Sequence, residues 1–305
     1  MRQAFINTLI ELAETDKDIW LLTADMGFGL VEPFAERFPK QFINVGVAEQ
    51  NMIGVATGLA LEGKKVFCYS IANFPTMRCL EQIRNDVCYH NLPVCIVSGG
   101  AGLWYGALGM THHAVEDIAI MRCLPNMAVV SPCDARETKQ AIKAIVDRGQ
   151  PCYLRMSRDA DLPNHEYQFG KANVLLGNIL TGSIVLITTG GRIIANALSA
   201  STQLESSKVY TRVLAIPTIK PLDWRLILDT IDGMEAVITI EEHSRIGGLG
   251  SAVAEVLAGL GQHPPLVRLG TGDCYLTTAM SYEELLKYHH LDVDGIVKEV
   301  LDALH

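Results

Sequence analysis

Apolar residues gather into short continuous runs separated by stretches of helical spacing, and this alternation repeats almost from end to end of the chain. The stripe Phe5, Leu9, Ile10 and Leu12 predicts a first helix, and Ile19-Trp20-Leu21-Leu22-Thr23 a strand after it. Further strands are predicted at Lys65 to Tyr69, Pro93 to Val97, Met127 to Val130 and Cys152 to Leu154. Helices are predicted between them at Glu49 to Leu61, Thr76 to Tyr89, Val115 to Cys123 and Ala135 to Asp147. Strands that are apolar throughout and alternate with helices require a parallel sheet covered on both faces. Residues 1–158 are therefore expected to form a doubly wound α/β domain. Weak periodicity around Pro163, Gly170 and Gly177 marks 159–181 as a linker. A second α/β series spans 182–305. Its strands are predicted at Ser183 to Thr188, Tyr210 to Ile216, Ala236 to Glu241 and Pro265 to Leu269, and its helices at Ile193 to Leu204, Asp223 to Thr230, Gly250 to Leu260, Ser281 to Tyr288 and Val293 to Leu304.

The 305 residues suffice for two such domains. With 49% hydrophobic and only 19% charged residues, the chain has apolar area to spare for subunit interfaces. A net charge of −9 argues against nucleic acid or an anionic membrane as partner. The eight cysteines form no C-x-x-C pair and sit mostly in apolar runs, which reads as small buried hydrophobes in a reducing compartment. Helical patterning begins at once, without a secretory signal, and no apolar run approaches the ~20 residues of a membrane span. The expected location is cytoplasmic.

Candidate chemistry concentrates where strands end. In Val45-Gly46-Val47-Ala48-Glu49-Gln50-Asn51-Met52, a carboxylate opens a helix among residues with almost nothing polar to offer it. Burial there would favour the neutral, proton-sharing form, although a solvated first-turn Glu serving the helix dipole has the same local pattern. The loop Gly99 to His113 carries further glycines up to Gly109 and closes on Thr111-His112-His113. It lacks the G-K-[ST] of a P-loop and the G-x-G-x-x-G of a dinucleotide site, so its interest lies in its place at the sheet's carboxyl edge and in two imidazoles able to exchange protons. A zinc site is disfavoured because no further ligands lie at metal spacing. Tyr69 and Phe74 bracket the end of another strand, suited to core packing or to an aromatic ligand surface. Ser157-Arg158 follows a strand too, where Arg could grip an anion or form a surface ion pair. In the second domain, Glu241 to Ser251 reads as strand, glycine turn and helix start, fit for helix packing or for an anion.

Taken together, Gly46-Val47-Ala48-Glu49-Gln50-Asn51-Met52, the run Arg78 to Arg84, Thr111-His112-His113-Ala114-Val115-Glu116-Asp117, Ser157-Arg158 and the Glu241 to Ser251 turn resemble the C-terminal two-thirds of transketolases and 1-deoxyxylulose-5-phosphate synthases. The likeness covers nearly the whole chain and is greater to the second subunit of split transketolases. It implies a thiamine-diphosphate fold: a domain receiving the cofactor's aminopyrimidine, then an architectural C-terminal domain. By resemblance, Glu49 bonds the pyrimidine N1′, Phe74 and Tyr69 offer the ring an aromatic surface, and Asp25 is a coenzyme contact. His112 handles protons at the reacting carbons, and Arg158, Arg2 and His113 bind a sugar phosphate. The implied reaction cleaves a ketose between C2 and C3 and passes the two-carbon unit to an aldehyde.

The same family holds Mg²⁺ and the diphosphate through a Gly-Asp-Gly element with a downstream Asn on an N-terminal domain. This chain lacks that element, and Gly270-Thr271-Gly272-Asp273 is only a late loop. The resemblance thus implies half an enzyme, completed by a diphosphate-binding partner in an α₂β₂ tetramer. Two departures bear on substrate: Gly100 replaces a substrate-contacting His, and Leu108-Gly109-Met110-Thr111-His112 replaces Asp-Gly-Pro-Thr-His. Loss of that Asp predicts a preference for deoxygenated or unusual sugars. The β subunit of a 2-oxoacid dehydrogenase and a non-catalytic scaffolding subunit are the competing readings.

Overall fold

The computed structural model describes residues 1–177 and 183–304. Residues 178–181 at the end of the expected linker, and 182 and 305 at the bounds of the second domain, lie outside the described residues. Strands of the first sheet are β1 (Ile19–Thr23), β2 (Phe42–Asn44), β3 (Lys65–Ile71), β4 (Val94–Gly99), β5 (Ala128–Val130) and β6 (Cys152–Met156). Those following are β7 (Asn173–Leu176), β8 (Ile184–Thr188), β9 (Thr211–Ala215), β10 (Thr218–Lys220), β11 (Ala236–Ser244) and β12 (Leu266–Thr271). They form two sheets, ordered β10-β5-β6-β4-β3-β1-β2 and β12-β11-β8-β9-β7. All pairings are parallel except β10 with β5 and β7 with β9.

Burial explains the patterning. Every residue of β4, β5 and β6 is buried, as strands covered on both faces must be. The helix Ala135–Arg148 starts where the Asp134 carboxylate accepts the Glu137 N–H at 2.8 Å and stops at Gly149 in the left-handed region. Its apolar stripe of Ala141, Ile142 and Ile145 packs with Phe5 and Leu9 on one face of the first sheet. On the opposite face, Met52, Ile53 and Ile83 belong to one apolar core with Ile187, Leu214 and Val253, so a single core runs through both units.

Three expectations need correction. The linker is shorter than 159–181, because Asn173–Leu176 inside it forms the antiparallel edge strand β7. The helix expected at Thr76 to Tyr89 is broken into Phe74–Met77, Leu80–Gln82 and a π-helical turn at Ile83–Cys88. Six cysteines are buried, but Cys123 and Cys274 are exposed. In addition, β10 leaves the second unit and pairs on the outer edge of the first sheet beside β5. It is secured where Lys220 Nζ donates to the carbonyls of Arg122 and Leu124 at 3.0 and 2.5 Å. Among the described residues no helix is long and apolar enough to cross a membrane.

Candidate active site

The chain runs from β1 outward to β2 and returns to β3 on the other side of β1, which opens a crevice at the carboxyl ends of β1 and β3. Asp25 follows β1 with φ +56°. It is held in reciprocal bonds with Asn44 at the end of β2: its N–H donates to Asn44 Oδ1 at 2.9 Å, and Asn44 Nδ2 donates back to Asp25 Oδ1 at 3.2 Å. The same Asn44 oxygen accepts the Gly46 N–H at 3.0 Å, which sets the turn into the helix Glu49–Leu61. Glu49 is thereby buried to 5% exposure in the first turn of that helix.

Glu49 is not isolated. Arg78 Nη1 donates to both carboxylate oxygens, at 3.0 and 3.1 Å, which corrects the expectation of a carboxyl without polar company. The Arg78 guanidinium also lies over the Phe74 ring at 4.2 Å from its centroid. Phe74 meets the His112 imidazole with ring centroids 5.2 Å apart, and Tyr105 approaches the same imidazole at 6.0 Å. His112 Nδ1 lies 3.0 Å from Thr111 Oγ1. Glu49, Arg78, Phe74, His112 and Tyr105 therefore form one continuous set, and Glu49 and Arg78 wall an open cavity of about 460 Å³ with Val47, Gln50 and Asn51.

Other expected residues are placed elsewhere. Tyr69 is fully buried, its ring stacked on Phe5 at 5.7 Å, so the structure does not bring it to the crevice surface. Burial pushes its phenol up, and the neighbouring Arg2 guanidinium only partly offsets this. Arg2 thus faces the core phenol. His113 is buried and its Nε2 bonds the Gly106 carbonyl at 2.9 Å, closing the loop on itself. Arg158 is half-exposed beyond β6, with its guanidinium 4.2 Å from the Tyr282 ring, 5.8 Å from that of Trp104, and 4.0 Å from Glu283.

The glycine loop is shaped from the second unit. Glu242, at the end of β11, accepts the Leu103 N–H at 3.0 Å and the Tyr282 hydroxyl at 2.5 Å. Gly102 has φ +72°, and a Cβ there would collide with the Glu242 carboxyl. Below it, buried Arg155 donates from Nε to Asp117 at 2.8 Å and from Nη2 to the Glu242 carbonyl at 2.8 Å, while Tyr153 donates to the same Asp117 oxygen at 2.5 Å. The Glu241 to Ser251 turn resolves toward packing: Glu241 itself accepts the Leu249 and Gly250 N–H groups at 2.6 and 2.8 Å, so its helix start is capped internally. Sequence reading missed Arg78 and Glu242 as site residues. For Arg78 a local signal existed, since it stands four residues after Phe74. Glu242 holds a loop 139 residues away and carried no local signal.

Family models described as transketolase, pyrimidine binding domain and transketolase, C-terminal domain match residues 1–161 and 177–296. The chain belongs to the transketolase family. It is 39% identical to an apulose-4-phosphate transketolase subunit of Phocaeicola vulgatus, over 99% of this chain and 96% of that protein. It superposes on a solved structure described as split gene transketolase, inactive beta4 tetramer, with TM-score 0.87 and 37% identity over 99% of this chain and 97% of that one. Against a 1-deoxy-D-xylulose-5-phosphate synthase of Acidovorax it is 35% identical over 98% of its length but spans only 47% of that enzyme. Within the transketolase family, then, it is the C-terminal subunit of a split member: a ketol-transferring enzyme that requires a partner subunit. Thiamine diphosphate and Mg²⁺ dependence follows at the level of the family.

Proposed function

We propose that this subunit supplies the aminopyrimidine side of a thiamine-diphosphate site and, with a diphosphate-binding N-terminal subunit in an α₂β₂ assembly, moves a two-carbon ketol unit from a ketose or ketose phosphate to an aldose. The observation that carries this reading is the buried Glu49 carboxylate bonded to a flat nitrogenous cation stacked on Phe74. Arg78 stands there in the manner of an aminopyrimidine, with N–H groups toward the acid and a π face toward the ring, so the residues present fit the group.

The chemistry thiamine diphosphate supplies when bound is an electron sink at its thiazolium carbon for the C2–C3 bond of the ketose. Glu49 holds a proton at a pyrimidine nitrogen, in a pocket whose burial strengthens that bond. Phe74 fixes the plane of the ring. His112, edge-on to Phe74, holds or moves a proton at a substrate hydroxyl, and Arg158, whose side chain is partly exposed, binds an anionic sugar tail. Asp25, tied to Asn44, positions a further coenzyme contact at the end of β1. The metal and diphosphate fall to the partner subunit, since this chain lacks the Gly-Asp-Gly element.

Two relatives support an unusual donor: the apulose-4-phosphate enzyme and a 6-deoxy-6-sulfo-D-fructose transketolase subunit carry names for modified ketoses. The deciding experiment reconstitutes the chain with an N-terminal transketolase subunit, thiamine diphosphate and Mg²⁺, and screens ketose donors against aldehydes. Ketol transfer is expected, with Glu49→Ala lowering kcat/KM by at least about 100-fold. Decarboxylation of a 2-oxoacid in place of ketol transfer, or full activity of Glu49→Ala, would overturn the proposal.

A further inference from the structure

The Arg78 side chain makes, at one place, both contacts that the proposed function assigns to the aminopyrimidine. Nη1 spans the two Glu49 oxygens at 3.0 and 3.1 Å, and the guanidinium carbon sits 4.2 Å from the Phe74 centroid. A planar donor and a planar ring cannot share that face and that carboxylate. Arg78 is also free to leave. It lies between the short helices Phe74–Met77 and Leu80–Gln82, its side chain is 49% exposed beside an open cavity, and its described polar contacts from the side chain are to Glu49. Rotation about its own side-chain bonds moves it into solvent without disturbing the backbone.

We infer that Arg78 is a placeholder: in the cofactor-free subunit it occupies the aminopyrimidine position, neutralising and covering Glu49, and it is displaced when thiamine diphosphate enters. This rests on the reading of Glu49 and Phe74 given above. Its consequence is a conformational toll on binding, because only the fraction of molecules with Arg78 swung out is competent, and the apparent affinity falls by that fraction. The charge and the flat fork both matter, so a lysine keeps the ion pair while losing the stacked, two-oxygen geometry.

The test titrates thiamine diphosphate with Mg²⁺ into the reconstituted complex and reads Kd by calorimetry, independent of turnover. Arg78→Met is expected to bind about three- to tenfold more tightly than the unsubstituted complex, and Arg78→Lys to fall between them. In a Glu49→Gln background the Arg78→Met gain should shrink toward none, since the competition acts through the carboxylate. Unchanged or weaker binding by both Arg78 variants, with assembly intact, overturns the inference and leaves the proposed function standing. A complex that fails to bind thiamine diphosphate with Arg78 in place or replaced overturns the proposed function itself, and the inference with it.

Discussion

The Glu242 carboxylate accepts the backbone N–H of Leu103 across 139 residues of sequence and 3.0 Å of space. This bond ties the loop that ends in His112 to the second unit, and the Tyr282 hydroxyl shares the same carboxyl. Glu242→Leu would leave two buried donors without acceptors, so a loss of about 2–4 kcal/mol is expected in urea unfolding, with Glu242→Gln losing less. Hydrogen exchange at the Leu103 amide should accelerate in both. Gly102→Ala, forced onto the same carboxyl at φ +72°, is expected to loosen the same amide.

Arg155 and Asp117 are 1% and 0% exposed in their side chains. Removing one of two buried charges strands the other, and Arg155→Met is expected to cost about 3–5 kcal/mol. Replacing both, as Arg155→Met with Asp117→Asn, should cost clearly less than the two single changes added together. Denaturation midpoints of the four proteins check this; strict additivity would show that the pair acts independently.

Much of the fold was legible because each signal was local. The helix Glu49–Leu61 has the bounds its apolar spacing predicts, and the buried runs that became β3, β4 and β6 are continuous in sequence. What was not legible depended on distance. Phe42–Asn44 and Thr218–Lys220 are three-residue strands with no periodicity to read, and they exist because an edge was there to accept them. For Tyr69 the residues left core packing and a ligand surface both open and the resemblance favoured the ligand; β3 points it at Phe5, since alternate residues of a strand face opposite sides. Glu49 was singled out by its position, but its ion partner Arg78 lies 29 residues further on, just past the helix Phe74–Met77. Glu242, in turn, is meaningful only once the two units are folded together.

His289 lines a cleft of about 410 Å³ between the two units, together with Met110, His113, Glu116, Asp273 and Tyr275. Burial pushes its imidazole down to about 4, helped by His113, His290 and Arg245. Because the folded value lies below the ordinary 6.5, the unfolded chain binds the proton first. Its contribution to stability is therefore complete above pH 6.5 and is lost as pH falls toward 4. Burial acts oppositely on Glu241 and Glu242, raising both above the ordinary 4.5, so their neutral forms favour the fold at acid pH. His289→Gln should flatten the decline in unfolding free energy between pH 6.5 and 4; an unaltered slope would contradict the assignment.

Leu108 is 59% exposed on the loop before His112, at the position where the resemblance drawn from the sequence places an Asp. An exposed Leu→Asp change there should leave stability within about 0.5 kcal/mol. Restoring a partner for a substrate hydroxyl is expected to raise kcat/KM for a fully hydroxylated ketose phosphate about tenfold relative to the deoxygenated analogue. Competition between the two donors in the reconstituted enzyme measures this ratio directly.

Strand β10 closes the outer edge of the first sheet with residues borrowed from the second unit. A fragment ending near Arg158 would keep the residues from Asp25 to His112 but strip β5 of its outer neighbour, leaving unpaired backbone groups ready to recruit another molecule. Domain-by-domain expression of this polypeptide is accordingly a recipe for aggregation, and any engineering that exchanges its second half has to carry Thr218–Lys220 along with the first.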